Sequence, residues 1–170
     1  MQQAVRILGI DPGSQITGFG VIEASLNRTR LVARGVVRTV GGDHTRRLEQ
    51  IFRGLGEIVI EHRPEEIAIE RVFMHRNADS ALKLGQARSA ALCATFDANV
   101  PVYEYAARQV KQSVVGRGGA DKTQIQHMVR VLLNIKDELQ PDSADALAVA
   151  LCHAFQRRTR SLVDQAVGQK

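Results

Sequence analysis

Residues 4–10 (AVRILGI) form a short apolar run stopped by Asp11-Pro12-Gly13, which predicts a strand ended by a turn. Residues 17–25 (TGFGVIEAS) and 30–39 (RLVARGVVRT) predict two further strands with Asn27 and Arg28 in the turn between them. The first three strands then make an antiparallel meander. From Leu48 the period changes. Leu48, Ile51, Phe52, Leu55, Ile58 and Val59 recur at helical spacing and predict a helix over 44–62, with Pro64 as its stop. Residues 66–70 (EIAIE) predict a brief strand ending on Glu70. A helix over 78–98, rich in small residues from Ala81 to Ala94, is followed by a strand at 101–105 and a helix at 106–115. Beyond the loop Gly116-Arg117-Gly118-Gly119, a helix is marked by Ile125, Met128, Val129, Leu132 and Leu133. Pro141, at a first helical position, opens a last helix to about residue 157. Residues 158–170 are polar and are expected to form a flexible basic tail. Short strands with covering helices, without repeat or linker, predict one α/β domain over residues 1–157.

Composition narrows the class. With 44% hydrophobic and 24% charged residues, the 170-residue chain is ordinary globular protein rather than a disordered or fibrous one. The net charge of +5 favours a polyanionic partner, nucleic acid first, and 18 of the 23 basic residues are Arg, whose guanidinium forks onto phosphate. No uncharged run approaches the roughly 18 residues of a membrane span. Residues 1–13 carry Arg6 and Asp11 and lack a signal-peptide core, so a cytoplasmic protein without membrane contact is expected. Cys93 and Cys152 both fall within apolar helical patterns and are expected to be buried, reduced thiols. Neither cysteine nor histidine spacing suits zinc.

Four carboxylates stand where an α/β sheet tends to carry chemistry. Asp11 closes the first strand and Glu70 the fourth, while Asp142 and Asp145 lie three apart in the first turn of the last helix and share a face. That helix is otherwise apolar on almost every side, so it should lie flat on the sheet with its acids aimed at the ends of neighbouring strands. Each acid has a plain structural explanation: a turn residue at Asp11, an ion pair with Arg71 at Glu70, dipole complementation at Asp142. Asp145, one turn in among alanines and leucines, is harder to explain that way. Carboxylates crowded together raise one another's pKa unless a cation neutralises them, and oxygen-only ligands point to Mg²⁺ or Mn²⁺. Two such ions suit phosphodiester hydrolysis, one acidifying a water and the other stabilising the leaving oxygen.

The blocks Gly9-Ile10-Asp11-Pro12-Gly13-Ser14 and Ala68-Ile69-Glu70-Arg71-Val72-Phe73 resemble the RuvC family of bacterial Holliday-junction resolvases. So do Asn77 to Arg88, Tyr105 to Gln112, and Asp142-Ser143-Ala144-Asp145-Ala146-Leu147-Ala148. The match runs in order over roughly residues 5–157. It implies an RNase H-like fold, with a five-stranded mixed sheet flanked by helices. It also implies a homodimeric, Mg²⁺-dependent endonuclease, with two ions per site and Mn²⁺ as a substitute, that nicks two opposed strands of a four-way junction in recombination and repair. By position, Asp11, Glu70, Asp142 and Asp145 would be the catalytic and metal-binding acids, and none is replaced. Partners would be junction DNA and the branch-migration proteins RuvA and RuvB.

Supporting residues follow. Phe73, three past Glu70 in a polar stretch, has a core role open to it, and the resemblance favours stacking on bases near the cut. Lys111, Arg117 and Lys122 flank the glycine loop and are candidates for phosphate contact, with Lys111 and Lys122 in family-matched segments facing the scissile phosphate. The small-residue face of helix 78–98 suits either a close approach of two copies or packing against the sheet. Gly119 to Thr123 fails as a nucleotide loop because Asp121 occupies a required glycine. An actin-like ATPase fragment and a non-catalytic junction-binding module are the competing readings. The first would need a second domain, and the second predicts that Asp145→Asn leaves metal binding untouched.

Overall fold

Alternating apolar positions pair the first strands in the register that the meander requires. In the computed structural model, which describes residues 4–71 and 77–167, β1 (Val5–Asp11) runs antiparallel to β2 (Ile16–Ala24) from Val5↔Ala24 to Asp11↔Gly18. β2 pairs antiparallel with β3 (Thr29–Arg38), and Ser25 closes the turn between them through its amide to Arg28 O, 2.8 Å. After α1 (His44–His62), β4 (Glu66–Arg71) returns parallel to β1. After α2 (Ala78–Cys93) and a single 3-10 turn at Phe96–Ala98, β5 (Val102–Ala106) adds parallel to β4. The sheet order is β3-β2-β1-β4-β5. α3 (Ala107–Val115), α4 (Lys122–Leu133) and α5 (Pro141–Val167) complete the chain.

The two faces of the sheet carry separate cores. Ile7, Ile22, Ala68 and Tyr105 point toward α3, α4 and α5. Leu8, Ile10, Val21, Ile67 and Ile69 point toward α1 and α2. α5 lies flat on the first face, as its apolar character requires, because the strands beneath it carry glycines. A Cβ on Gly9 would stand 2.2 Å from the Ala146 carbonyl oxygen, one on Gly18 2.0 Å from that of Asp142, and one on Gly20 2.5 Å from the Leu147 side chain. Real Cβ atoms do not approach backbone so closely, so glycine at Gly9 and Gly18 lets helix and sheet backbones touch.

Two expectations change, and one open alternative is answered for part of a helix. α5 continues to Val167 rather than yielding to a loose tail at 158, since no proline or glycine interrupts residues 142–167. Of the two alternatives for the small residues of α2, packing within the chain accounts for Ala87 and Ala91, fully buried against the second core, while a Cβ at Gly85 would meet open space. Cys93 is exposed, on the outward side of α2 with Leu82, Gln86 and Ser89, while Cys152 is buried as expected. Among the described residues no helix is long and apolar enough to cross a membrane.

Candidate active site

The parity of the strands decides where the acids point. Asp11 ends β1 on the same face as Ile7 and Gly9, and Glu70 lies on the face of β4 that carries Ala68; both faces meet α5. The parallel register Ile10↔Ile69 carries on to set Asp11 beside Glu70 at the carboxyl ends of the two central strands. α5 begins over this point. The Asp142 carbonyl packs against Gly18, itself the register partner of Asp11, so the first turn of α5 carries Asp142 and Asp145 to the same end. Thr17 fixes the intervening turn: fully buried, its hydroxyl donates to Gly13 O (3.0 Å) and accepts from Gly13 N (3.3 Å).

The four carboxylates feel one another. Burial, then a hydrogen bond to Glu70 and the charges of Glu70, Asp145 and Asp142, push the Asp11 carboxyl up to about 9. Burial also raises Glu70, although the hydrogen bond donated by Asp11 and the charges of Lys111 and Lys122 oppose the rise. Asp145 is raised by burial against the pull of Lys122, whose Nζ stands 3.6 Å from Oδ2. Among the described residues no three acids, histidines or cysteines are drawn together tightly enough to hold an ion between them. The acids stand instead as an Asp11–Glu70 pair sharing a proton and an Asp145 held by a lysine. All the donors are oxygens, and among the described residues their repulsion is relieved by that proton and by two lysines. That donor set fits a hard divalent cation, which would replace both.

The structure thus gathers Asp11, Glu70, Asp142, Asp145, Lys111 and Lys122. Arg117 lies exposed in the loop after α3, and the cations acting most strongly on the acids are the two lysines. Phe73 falls outside the described residues. At the other end of the same helix and strand is a network that the sequence reading missed. Tyr105 donates its hydroxyl to His153 Nδ1 (2.7 Å), and His153 Nε2 donates to Glu66 (2.7 Å). Arg157 also binds Glu66 (3.2 Å), and Tyr103 stacks on the imidazole at 4.3 Å. The spacing of Tyr103 and Tyr105 on one strand, and of His153 and Arg157 on one helix, was the available signal.

A mixed sheet of order β3-β2-β1-β4-β5, with acids at the carboxyl ends of its central parallel strands and on a helix crossing them, has the RNase H-like fold of DNA-processing resolvases. The family model for Crossover junction endodeoxyribonuclease RuvC matches residues 7–153. A protein of that name from Methylococcus capsulatus is 54% identical over 162 residues, covering 95% of this chain and 98% of that protein. The structure of Thermus thermophilus RuvC in complex with a Holliday junction substrate superposes with a TM-score of 0.84 at 39% identity, covering 91% of this chain and 96% of that one. The yeast mitochondrial Holliday junction resolvase Ydc2 shares the fold alone, with a TM-score of 0.66 at 11% identity, covering 92% of this chain and 82% of that one. The chain belongs to the RuvC family of crossover junction endodeoxyribonucleases.

Proposed function

We propose that the chain resolves four-way DNA junctions by hydrolysing phosphodiester bonds in two opposed strands, with Asp11, Glu70, Asp142 and Asp145 as the catalytic acids. The observation that carries this reading is the convergence of Asp11 and Glu70, at the adjacent carboxyl ends of β1 and β4, beneath the first turn of α5 that carries Asp142 and Asp145. A structural role would have left these carboxylates paired with arginines, as Glu23 and Glu66 are.

Mg²⁺, with Mn²⁺ as a substitute, would be held by the four acids, two ions to a site. When bound, such ions make a water acidic enough to attack phosphorus and stabilise charge on the leaving oxygen. Because the Asp11 carboxyl holds its proton when no cation is bound, cation binding would release that proton and would tighten as pH rises. Lys122, released from Asp145, and Lys111 are then free to orient the scissile phosphate. Phe73 stacks on bases beside the cut, and Arg117 contacts backbone further out.

Each chain supplies one acid set, so two symmetric nicks need two chains related by a two-fold axis. This reading makes the active form a homodimer. Its neighbours are the branch-migration proteins RuvA and RuvB, and its compartment is the cytoplasm, where the chromosome recombines.

The test is cleavage of a labelled synthetic four-way junction and a matched linear duplex, with Mg²⁺ or with EDTA. Paired symmetric nicks on the junction alone, absent in EDTA, are expected. Asp11→Asn, Glu70→Gln, Asp142→Asn and Asp145→Asn should each abolish the nicks and keep junction binding, because the cationic surface is intact. Binding without cutting under any divalent metal would leave a DNA-binding protein and remove the catalytic assignment.

A further inference from the structure

The arginines are not distributed evenly in their pairing. At the end of the sheet away from the acids Arg6, Arg30 and Arg157 are neutralised, while Arg28 and Arg63 there form no ion pair with any described residue, and beside Glu70 the arginines Arg71 and Arg88 both take Glu104. Arg6 and Arg30 share Glu23 at 2.6 Å each, and Arg157 takes Glu66 at 3.2 Å. Arg34, midway along β3, takes Asp137. At the catalytic end, Arg38 at the close of β3 and Arg46 and Arg47 in the first turn of α1 form no ion pair with any described residue. The carboxylates of this segment are already engaged: Asp43 caps α1 by accepting from the Arg46 amide (2.9 Å), and Glu49 holds Arg53 (2.9 Å).

Helix stability does not account for Arg46 and Arg47. Cations in a first turn oppose the helix dipole, and α1 has no acid there to offset them. Arg47 instead lines a concavity of about 280 Å³ with Gln15, Thr39, Gly41 and Gly42, a size that admits a phosphate group. The sheet register ties Arg38 to the acids, and the concavity lined by Arg47 opens beside Thr39, the next residue. Asp11 pairs with Gly18, Gly18 with Val36, and Arg38 lies two residues beyond Val36 with the same parity. Two strand spacings across and two residues along give a backbone separation on the order of 12 Å. That spans roughly three to four nucleotides of one strand at about 3.4 Å each.

We propose that Arg38, Arg46 and Arg47 form a second backbone-gripping strip that holds a junction arm on the β3 flank of the acid cluster, across the sheet from Lys111 and Lys122. The inference rests on the nuclease reading and adds a path to it. DNA enters over the cations of α3 and α4, crosses the acids, and leaves along the end of β3 and the start of α1. The contacts are to phosphate, so they add affinity and register without reading sequence.

The experiment is binding of the intact protein to a fluorescent synthetic four-way junction in EDTA, repeated across a series of salt concentrations. Arg38→Gln and Arg47→Gln should each weaken binding and lower the slope of log K against log [salt] by about 0.9, the contribution of one released phosphate contact. The triple variant with Arg46→Gln should lose about 1.8 to 2.7 from the slope. The triple Arg→Lys variant, which keeps the charges, should retain it, and so should Arg30→Gln at the neutralised end. A triple glutamine variant with wild-type slope overturns the strip and leaves the nuclease reading standing. A triple lysine variant that loses as much as the glutamine variant also overturns it, since the effect would then be structural. Wild-type protein that fails to bind the junction at all overturns both.

Discussion

Glu66 and Glu70 sit on the same face of the same strand, one turn of α5 covers each, and their surroundings are opposite. Glu66 is satisfied on every side that matters: His153 and Arg157 bind its two oxygens, and Tyr105 completes the chain through the imidazole. Burial keeps His153 below the usual histidine range, in its neutral form, and that form is the one that accepts from Tyr105 while donating to Glu66. Glu70 has an acid for a neighbour, and the pair holds its proton far above the carboxylate range. A fold that can satisfy a carboxylate at one end of β4 leaves one unsatisfied at the other. Polar satisfaction marks the part of the strand that holds the fold, and frustration marks the part to which the proposal assigns chemistry.

The contrast is broken most directly by exchanging each glutamate for its amide. Glu70→Gln should lower the rate of junction cleavage on the order of 10³-fold, with thermal stability retained or raised. Glu66→Gln should leave cleavage near wild type and reduce unfolding free energy by about 1–3 kcal/mol, read by urea titration. Activity loss of equal size in both would erase the distinction.

Next in size is the contact that joins helix to sheet. Gly18→Ala forces a methyl into the Asp142 carbonyl, which is backbone and has no rotamer to yield. Destabilisation of about 1–3 kcal/mol is expected, with a cleavage defect beyond what the unfolded fraction explains, because the turn bearing Asp142 and Asp145 must shift. An alanine variant of wild-type stability and rate would show that the helix start is free to move.

A gentler probe is the metal-free stability of Asp11→Asn. Burial and its acidic neighbours push the Asp11 carboxyl up to about 9 from the ordinary carboxylate range, so folding binds a proton between those limits and stability falls as pH rises through the window. The asparagine variant escapes this penalty. In EDTA its melting temperature should exceed that of wild type by more at pH 8 than at pH 5, and a gap independent of pH would contradict the pairing.

Smallest in its effect on the fold is Lys122→Ala. The lysine is mostly exposed, so its pairing with Asp145 contributes little to stability. Cleavage should fall more than junction affinity does, and a change in affinity alone would place Lys122 on remote backbone.

Much of this was legible in the sequence, for identifiable reasons. The strands bearing Asp11 and Glu70 announced themselves because short apolar runs ended at polar turns, and α5 because an almost wholly apolar helix has only a sheet to lie on. The crowding of the acids followed from parity once those elements were placed. What stayed hidden depended on pairing across the fold. Nothing local distinguishes Glu66 from Glu70 until His153 is seen over one and Asp11 beside the other. Cys93 looked buried because it ends a run of small and apolar residues, and only the packing of Ala87 and Ala91 shows that it lies on the outward side with Gln86 and Ser89. The extent of α5 was missed because polarity after 157 signals exposure, which a helix tolerates, rather than its end. Arg46 and Arg47 fall in the first turn of the helix predicted over 44–62, and what stayed hidden was that the nearby carboxylates Asp43 and Glu49 are engaged elsewhere.

The glycines beneath α5 set a gauge as well as a contact. Where two backbones touch, the spacing between them is fixed by atomic radii rather than by the sizes of interleaved side chains. The separation of the strand acids from the helix acids is therefore referenced to main chain at Gly9 and Gly18. Repacking elsewhere in the core, a Val for an Ile under α4 for instance, alters how firmly the protein holds together and leaves the width of its reaction site unchanged. Stability and catalytic dimension can drift independently in this architecture, so its hydrophobic interior is free to diverge while the aperture stays the same.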